Sequence, residues 1–200
     1  MCTAAIIAGG KARRFGGRQK ATLAFGSTSI IERQIATLRT LTNTLLIVAN
    51  DTASYARFGV PVIEDDIPDA GALGGIYTAL AHAPADPVII VACDMPFVQA
   101  AFLRYLIDAV RTADVAIPRT PSGYEPLCAC YAGRCAPHLR RQIEAGVLKI
   151  QDLLPHVRVR EIGPREIAPY DREGLLFSNV NTPDDYARAL ARLDGDQSAS

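Results

Sequence analysis

The segment PVIIVACD, residues 87–94, runs through six apolar residues before a cysteine and an aspartate close it. A strand with one wet face alternates polar and apolar side chains. An unbroken apolar run of this length therefore reads as a central strand covered on both faces, the kind found in parallel sheets packed between helices. The neighbouring sequence keeps the matching rhythm. TAAIIA (3–8), TLLIVAN (44–50), VPVIED (60–65) and DVAIPR (114–119) read as further strands. STSIIERQIATLRTL (27–41), GGIYTALAHA (74–83) and VQAAFLRYLIDAVR (98–111) read as the helices between them. Ser27 or Ser29 suits the first helix cap, and Glu32 stands where it completes a capping box behind Ser29. Such alternation predicts an α/β fold, a mostly parallel central sheet with helices on both faces.

Beyond Arg119 the rhythm loosens. LCACYAG (127–133) reads as a strand, residues 135–145 and 149–154 as helical, and VRVREI (157–162) as an edge strand. LLFSNVNT (175–182) leads into a helix over 183–193, with Thr182 capping it and Pro183 in its first turn. One domain over residues 1–193 and a frayed tail over 194–200 are expected.

Length and charge narrow the partners. A chain of 200 residues that is 49% hydrophobic suits a single core. Its 21 basic and 21 acidic residues balance, so no overall field favours nucleic acid or membrane, and any anion binding has to be local. No 18-residue apolar span or signal-type N-terminus occurs, so a soluble, cytoplasmic protein is expected. Five cysteines without a C-x-x-C pair argue against a disulfide framework. Cys128 and Cys130 would share one face of a strand as buried thiols. His82, His138 and His156 are scattered, so no zinc site is expected.

The local anion site is easiest to place behind the first strand. AIIAGGKARRFGGRQK (5–20) turns at Gly9 and Gly10 into a segment holding Lys11, Arg13, Arg14, Arg18 and Lys20 and no acid. Ligands of open parallel sheets bind beyond the carboxyl ends of the strands, where this loop emerges. Glycine amides approach a ligand closely, and Arg and Lys complete a receptor for several phosphate oxygens, with Arg14 and Lys20 as its contacts. Composition alone also allows a solvated basic turn. Neither G-x-x-x-x-G-K-[ST] nor G-x-G-x-x-G follows the first strand, which disfavours P-loop ATPases and nicotinamide dehydrogenases.

Asp94 closes the central strand on the same edge. Magnesium is typically held by one or two carboxylates together with substrate phosphates, so a single aspartate there suffices for a nucleotide–metal site. Asp65 and Asp66 close the third strand, where an aspartate can accept from a base or ribose donor. GALGG (71–75) follows, with room for a flat ring. Asn179 and Asn181 suit a second substrate, the metal site or a turn.

Together IIAGGKARRFGGRQK (6–20), VIED (62–65), GALGGI (71–76), CDMPF (93–97), EPLCACY (125–131) and FSNVNTP (177–183) resemble the molybdenum cofactor guanylyltransferase family, MobA, over almost the whole chain. The resemblance implies a Rossmann-like nucleotidyltransferase fold. It also implies transfer of GMP from Mg-GTP to the terminal phosphate of molybdenum-bearing molybdopterin, with release of pyrophosphate. On that likeness Ile7, Ala8, Gly9, Gly10, Asn50, Asp65 and Gly74 line the GTP site and Lys20 contacts its phosphates. Asp94 carries Mg2+ and, with Arg14 and Lys20, forms the catalytic set. Asn179 and Asn181 belong to the molybdopterin side. Molybdenum-insertion proteins and acceptor redox proteins are the implied partners. The chain departs from the family pattern at Gln19, where an aspartate is usual, and at Val48, where an asparagine is often found.

Three other readings stay open. Cytidylyl transfer from CTP is disfavoured by Gly9, whose missing side chain makes room for a purine, and by GALGG. A different phosphorylated acceptor keeps the same donor chemistry, because a fold does not specify its acceptor. A nucleotide-binding protein without turnover would fit Gln19, but retention of Lys20 and Asp94 speaks against it.

Overall fold

The computed structural model describes residues 1–8 and 20–197. The strands are β1 (Thr3–Ile7), β2 (Ala24–Phe25), β3 (Thr28–Ser29), β4 (Leu45–Val48) and β5 (Val62–Ile63) in the first part of the chain. They continue with β6 (Val88–Ala92), β7 (Val115–Thr120), β8 (Gly123–Tyr124), β9 (Cys128–Tyr131) and β10 (Val159–Ile162). The helices are α1 (Ile30–Arg39), α2 (Thr52–Tyr55), α3 (Gly71–His82), α4 (Ala100–Ala109), α5 (Ala136–Glu144), α6 (Pro164–Ile167) and α7 (Pro183–Gln197).

The main sheet has the order β10-β7-β9-β6-β1-β4-β5, with β8 folded back on β7. β1 lies between β4 and β6 and is parallel to both. β9 runs antiparallel to β6 and β7 on either side of it. The mostly parallel α/β architecture expected from the alternating pattern is thus present, with β9 and the short β8 reversed.

Alternation along β1 divides the core in two, because successive side chains leave opposite faces of a strand. Ala4 and Ile6 face α1 and α4, packing with Ile31, Ile35, Phe102 and Leu106. Ala5 and Ile7 face α3 and α5, packing with Leu73, Ile76 and Leu139. β6 is buried along its whole length, as its unbroken apolar run requires. Cys128 and Cys130 share the α1/α4 face as free thiols, and burial pushes both well above the ordinary thiol range. A third cluster joins Phe25, Ile30, Val180, Ala189 and Leu193, so α7 packs on the β2–β3 hairpin.

The predicted caps form. Ser29 Oγ accepts from the Glu32 amide, and Glu32 Oε2 accepts from the Ser29 amide at 2.7 Å. Thr182 Oγ1 accepts from the Asp185 amide at 3.1 Å ahead of Pro183. Other boundaries differ from expectation. Residues 28–29 pair as a strand instead of opening the helix, because β2 offers them a ladder. α3 begins at Gly71 instead of residue 74, residues 149–154 form 3-10 turns, and α7 continues past Leu193 to Gln197.

The far part of the chain is secured by Asp114, just before β7. Its carboxylate accepts from the Arg158 amide at 2.7 Å, from the Arg158 guanidinium and from Arg134 Nε. Burial opposes ionisation of Asp114, but these donors outweigh it and hold the carboxyl well below the usual range.

Candidate active site

The order of the strands creates a crevice before any side chain is considered. From β1 the chain proceeds outward through β4 to β5, then returns to the other side of β1 for β6. Connections leave β1 and β6 in opposite directions, and the gap beyond their carboxyl ends is where open α/β sheets bind ligands. Register fixes what arrives there. Ile7 lies level with Val48 on one side and Ala92 on the other. The Cys93 amide donates to Ile7 O at 3.0 Å, the Ala8 amide to Val48 O at 2.8 Å, and the Ala49 amide to Ile63 O at 2.9 Å. Ala8, Asn50, Asp65 and Asp94 therefore leave four neighbouring strands on one edge.

Ile7 and Ala8 are buried, with Ile7 O and the Ala8 amide paired to the neighbouring strands. Gly9, Gly10, Arg14 and Gln19 lie outside the described residues, as does the side chain of Lys20. The chain resumes in a 3-10 turn, Lys20–Thr22, with Ala21 in the core beside Ile31 and Ala92.

Asp94 is half-buried on a turn held from three directions. Gln34, completely buried on α1, donates from Nε2 to Ala92 O at 2.6 Å and to Met95 O at 2.9 Å. Arg33 Nε donates to Pro96 O at 3.1 Å. The Val180 amide donates to Asp94 O at 2.9 Å, which draws the NVNT segment to the same edge. Sequence reasoning missed Gln34, although a signal was available. It stands four residues from Ile30 and four from Leu38, a polar residue on the apolar stripe of an amphipathic helix.

Asp65 is the other unusual carboxylate. Its Oδ1 is buried with no hydrogen-bond partner, and the Asn50 side chain is hydrogen-bonded to this carboxyl group. Burial raises the Asp65 pKa; the Asn50 hydrogen bond lowers it, and the charges of Asp66 and Glu64 raise it further. Gly75 makes this arrangement possible. A Cβ there would stand 2.7 Å from Ile7 Cγ2 and 3.7 Å from Asp65 Oδ1, so only glycine lets α3 close on β1 at this point. Gly74 is buried, and a Cβ would meet Ala70 Cβ at 2.9 Å and Ile67 O at 3.2 Å, which gives this glycine a packing role. Asp66 is engaged elsewhere, with His82 Nε2 2.9 Å from Oδ1.

Asn179 and Asn181 are exposed on either side of Val180, whose amide donates to Asp94 O. Asn179 borders a cavity of about 470 Å³ together with Phe97, Asp185, Arg188 and Arg192. The Asn181 amide donates to Asp185 Oδ2 at 3.0 Å, tying this segment to the start of α7. Among the described residues no helix is long and apolar enough to cross a membrane, and no group of three His, Cys, Asp or Glu side chains is placed to hold a metal.

A reversed-order sheet with a glycine-rich exit from β1 and an aspartate ending β6 has counterparts in known proteins. Residues 4–159 match the family described as the MobA-like NTP transferase domain. The chain belongs to the MobA-like NTP transferase family. It is 32% identical to the "Molybdenum cofactor guanylyltransferase" of Desulfosudis oleivorans, over 96% of this chain and 95% of that protein. It is 37% identical to the "Probable molybdenum cofactor guanylyltransferase" of Carboxydothermus hydrogenoformans, over 94% of each. Among solved structures it is similar to molybdopterin-guanine dinucleotide biosynthesis protein A from Archaeoglobus fulgidus. That match has a TM-score of 0.84 at 29% identity, covering 98% of this chain and 100% of that one. The MobA-like membership makes the chain a nucleotidyltransferase.

Proposed function

We propose that this enzyme transfers GMP from Mg-GTP to the terminal phosphate of molybdenum-bearing molybdopterin, forming the guanine dinucleotide cofactor. The observation that carries the reading is the convergence on one sheet edge of the β1 exit, Asp65 and Asp94, with the NVNT segment bonded to Asp94 through Val180. Two anionic substrates approaching from opposite sides of Asp94 need such an arrangement. The relatives named as guanylyltransferases support the choice of donor and acceptor.

The chemistry asks for little covalent help from the protein. An oxygen of the acceptor phosphate bonds to the α-phosphorus of GTP, and the bond from that phosphorus to the bridging oxygen of pyrophosphate breaks. The nucleophile is already an anion, so no base has to be generated. What remains is to hold two anions in line and to stabilise charge on the phosphoryl oxygens and the leaving group. Arg14 and Lys20 are the proposed cationic contacts. Asp94 fits a hard divalent cation as a lone carboxylate donor, because magnesium keeps several waters and shares substrate phosphates. When bound there, the cation neutralises charge on the phosphates. Gln34 and Val180 hold the turn that presents Asp94, so its main chain is set before substrates arrive. The buried, unpartnered Asp65 Oδ1 is an acceptor available to a nucleoside donor, and guanine offers two adjacent N–H groups.

The test measures pyrophosphate release with molybdopterin as acceptor and GTP or CTP as donor, at matched magnesium. GTP should be preferred; a preference for CTP would overturn the assignment of the base. Asp94→Ala should fold and lose about 2.7–4 kcal/mol of barrier stabilisation, roughly a hundred- to a thousandfold in turnover. Near-normal turnover in that variant would remove Asp94 from the mechanism.

A further inference from the structure

A second cavity, of about 440 Å³, opens beside the Asp94 turn on the side of β9. Its position follows from the reversed strand. Val91 is paired with Cys128, so the chain entering β9 passes the end of β6, and the Ala92 amide donates to Leu127 O at 2.7 Å. Glu125, two residues before Leu127, borders the cavity with Thr120 and Ser122. Pro121 stands beside them, and Pro164, Ile167 and Phe177 supply further apolar surface. Ser178 borders this cavity and also the one that Asn179 lines, so the two adjoin across the NVNT segment.

The lining selects a kind of ligand. No Lys, Arg or His is among its described residues, while two carboxylates, Glu125 and Asp171, are. Such a cavity repels phosphate and favours a group that donates hydrogen bonds. Asp171 is already used, since its Oδ1 accepts from the Leu176 amide at 3.0 Å. Glu125 Oε1 accepts from the Thr120 hydroxyl at 3.2 Å, and none of the described residues donates to Oε2. Burial raises the Glu125 pKa against that single hydrogen bond, so an added donor pair would be well received. Apolar walls around a carboxylate suit a flat heterocycle with two adjacent donors on one edge.

We propose that this cavity holds the pterin ring of the acceptor, with the Glu125 carboxylate receiving the ring N–H and the neighbouring amino group. The proposal rests on the acceptor assigned above. A ring seated here directs the phosphate end past Ser178 and Asn179 toward Asp94, where the nucleotide is attacked. Guanine presents the same donor edge, so the two substrates have to be separated in the test.

Kinetics with each substrate varied in turn, on the wild type and Glu125→Gln, provide the first measurement. The amide keeps the shape and replaces an accepting oxygen with a donor. The KM for molybdopterin should rise about ten- to a hundredfold, the range expected for a hydrogen bond to a charged group, while the KM for GTP stays within about twofold. Equilibrium binding of 6-hydroxymethylpterin, read by its own fluorescence, is the second measurement and needs no turnover. The wild type should bind this probe and the variant should bind it correspondingly less. An unchanged molybdopterin KM, a rise in the GTP KM instead, or a wild type that does not bind the pterin overturns the proposal. Pterin binding that depends on Glu125, in an enzyme that transfers no GMP, would uphold the ring site and refute only the assigned reaction. If Glu125→Gln does not fold, Glu125→Asp, which withdraws the carboxylate by one methylene, is judged by the same outcomes.

Discussion

Replacing Gln34 tests how the Asp94 turn is built. In Gln34→Leu the side chain keeps its approximate shape and loses both donated bonds, to Ala92 O and Met95 O. At about 1 kcal/mol net for each hydrogen bond, the loss is about 2 kcal/mol. Part of it is recovered, because the wild-type Oε1 is buried without a partner and its removal returns about 1 kcal/mol. The expected net destabilisation is therefore about 1 kcal/mol, and turnover falls because the turn carrying Asp94 is no longer pinned. Gln34→Glu has almost the same shape and the opposite chemistry. An ionised carboxylate would face two carbonyl oxygens, and an uncompensated buried charge costs about 3–5 kcal/mol. Protonation restores one donor, so the Glu variant should recover stability as pH falls, while the Leu variant should not. Urea unfolding midpoints at pH 7 and pH 5 measure both effects. If Glu is tolerated as well as Leu at pH 7, the donated bonds do not hold the turn and the reasoning fails.

Two further substitutions read the other carboxylates. Asp65→Asn should weaken GTP binding about tenfold, the loss of one hydrogen bond to a charged acceptor. Burial raises the Asp65 pKa in the fold, so this group adds stability to the wild type as pH falls through that raised value. The gain should be missing from the variant when unfolding free energies are compared across the acid range. Asp114→Asn should cost about 1.5–3 kcal/mol at pH 7, since it weakens charged hydrogen bonds from Arg134 and Arg158. The Asp114 pKa is lowered in the fold, so its contribution is present above the ordinary carboxylate range and is lost as pH falls through the folded value. The difference between wild type and variant should accordingly shrink in strong acid; a difference that stayed constant with pH would show that the Asp114 charge is not responsible.

Much of the scaffold was legible because it is encoded locally. The apolar run of β6, the Ser29–Glu32 box, the Thr182 cap and the shared face of Cys128 and Cys130 each depend on residues a few positions apart. The carboxylates closing β5 and β6 were legible too, because a strand end in a parallel sheet already specifies an edge. Less visible were the β2–β3 hairpin, which takes residues 28–29 from the predicted helix, and the packing role of Gly74. The hairpin is short-range, but Val180, Ala189 and Leu193, which cover its Phe25, reach it only on folding. Gly74 meets Ala70 and Ile67, a few positions away, through the detailed path of the chain into α3 and not through any residue pattern.

The amino-acid order alone determined the main strands and the longer helices, which faces they bury and which residues leave the sheet at its carboxyl edge. Periodicity and capping are short-range, and each segment carries them whether or not its partners are present. The tertiary structure decided that β9 runs against its neighbours, that Gln34 reaches the Asp94 turn and that Glu125 borders a cavity beside it. Each of these is a pairing across tens of residues, selected by the packing of the whole core, and no local pattern specifies it.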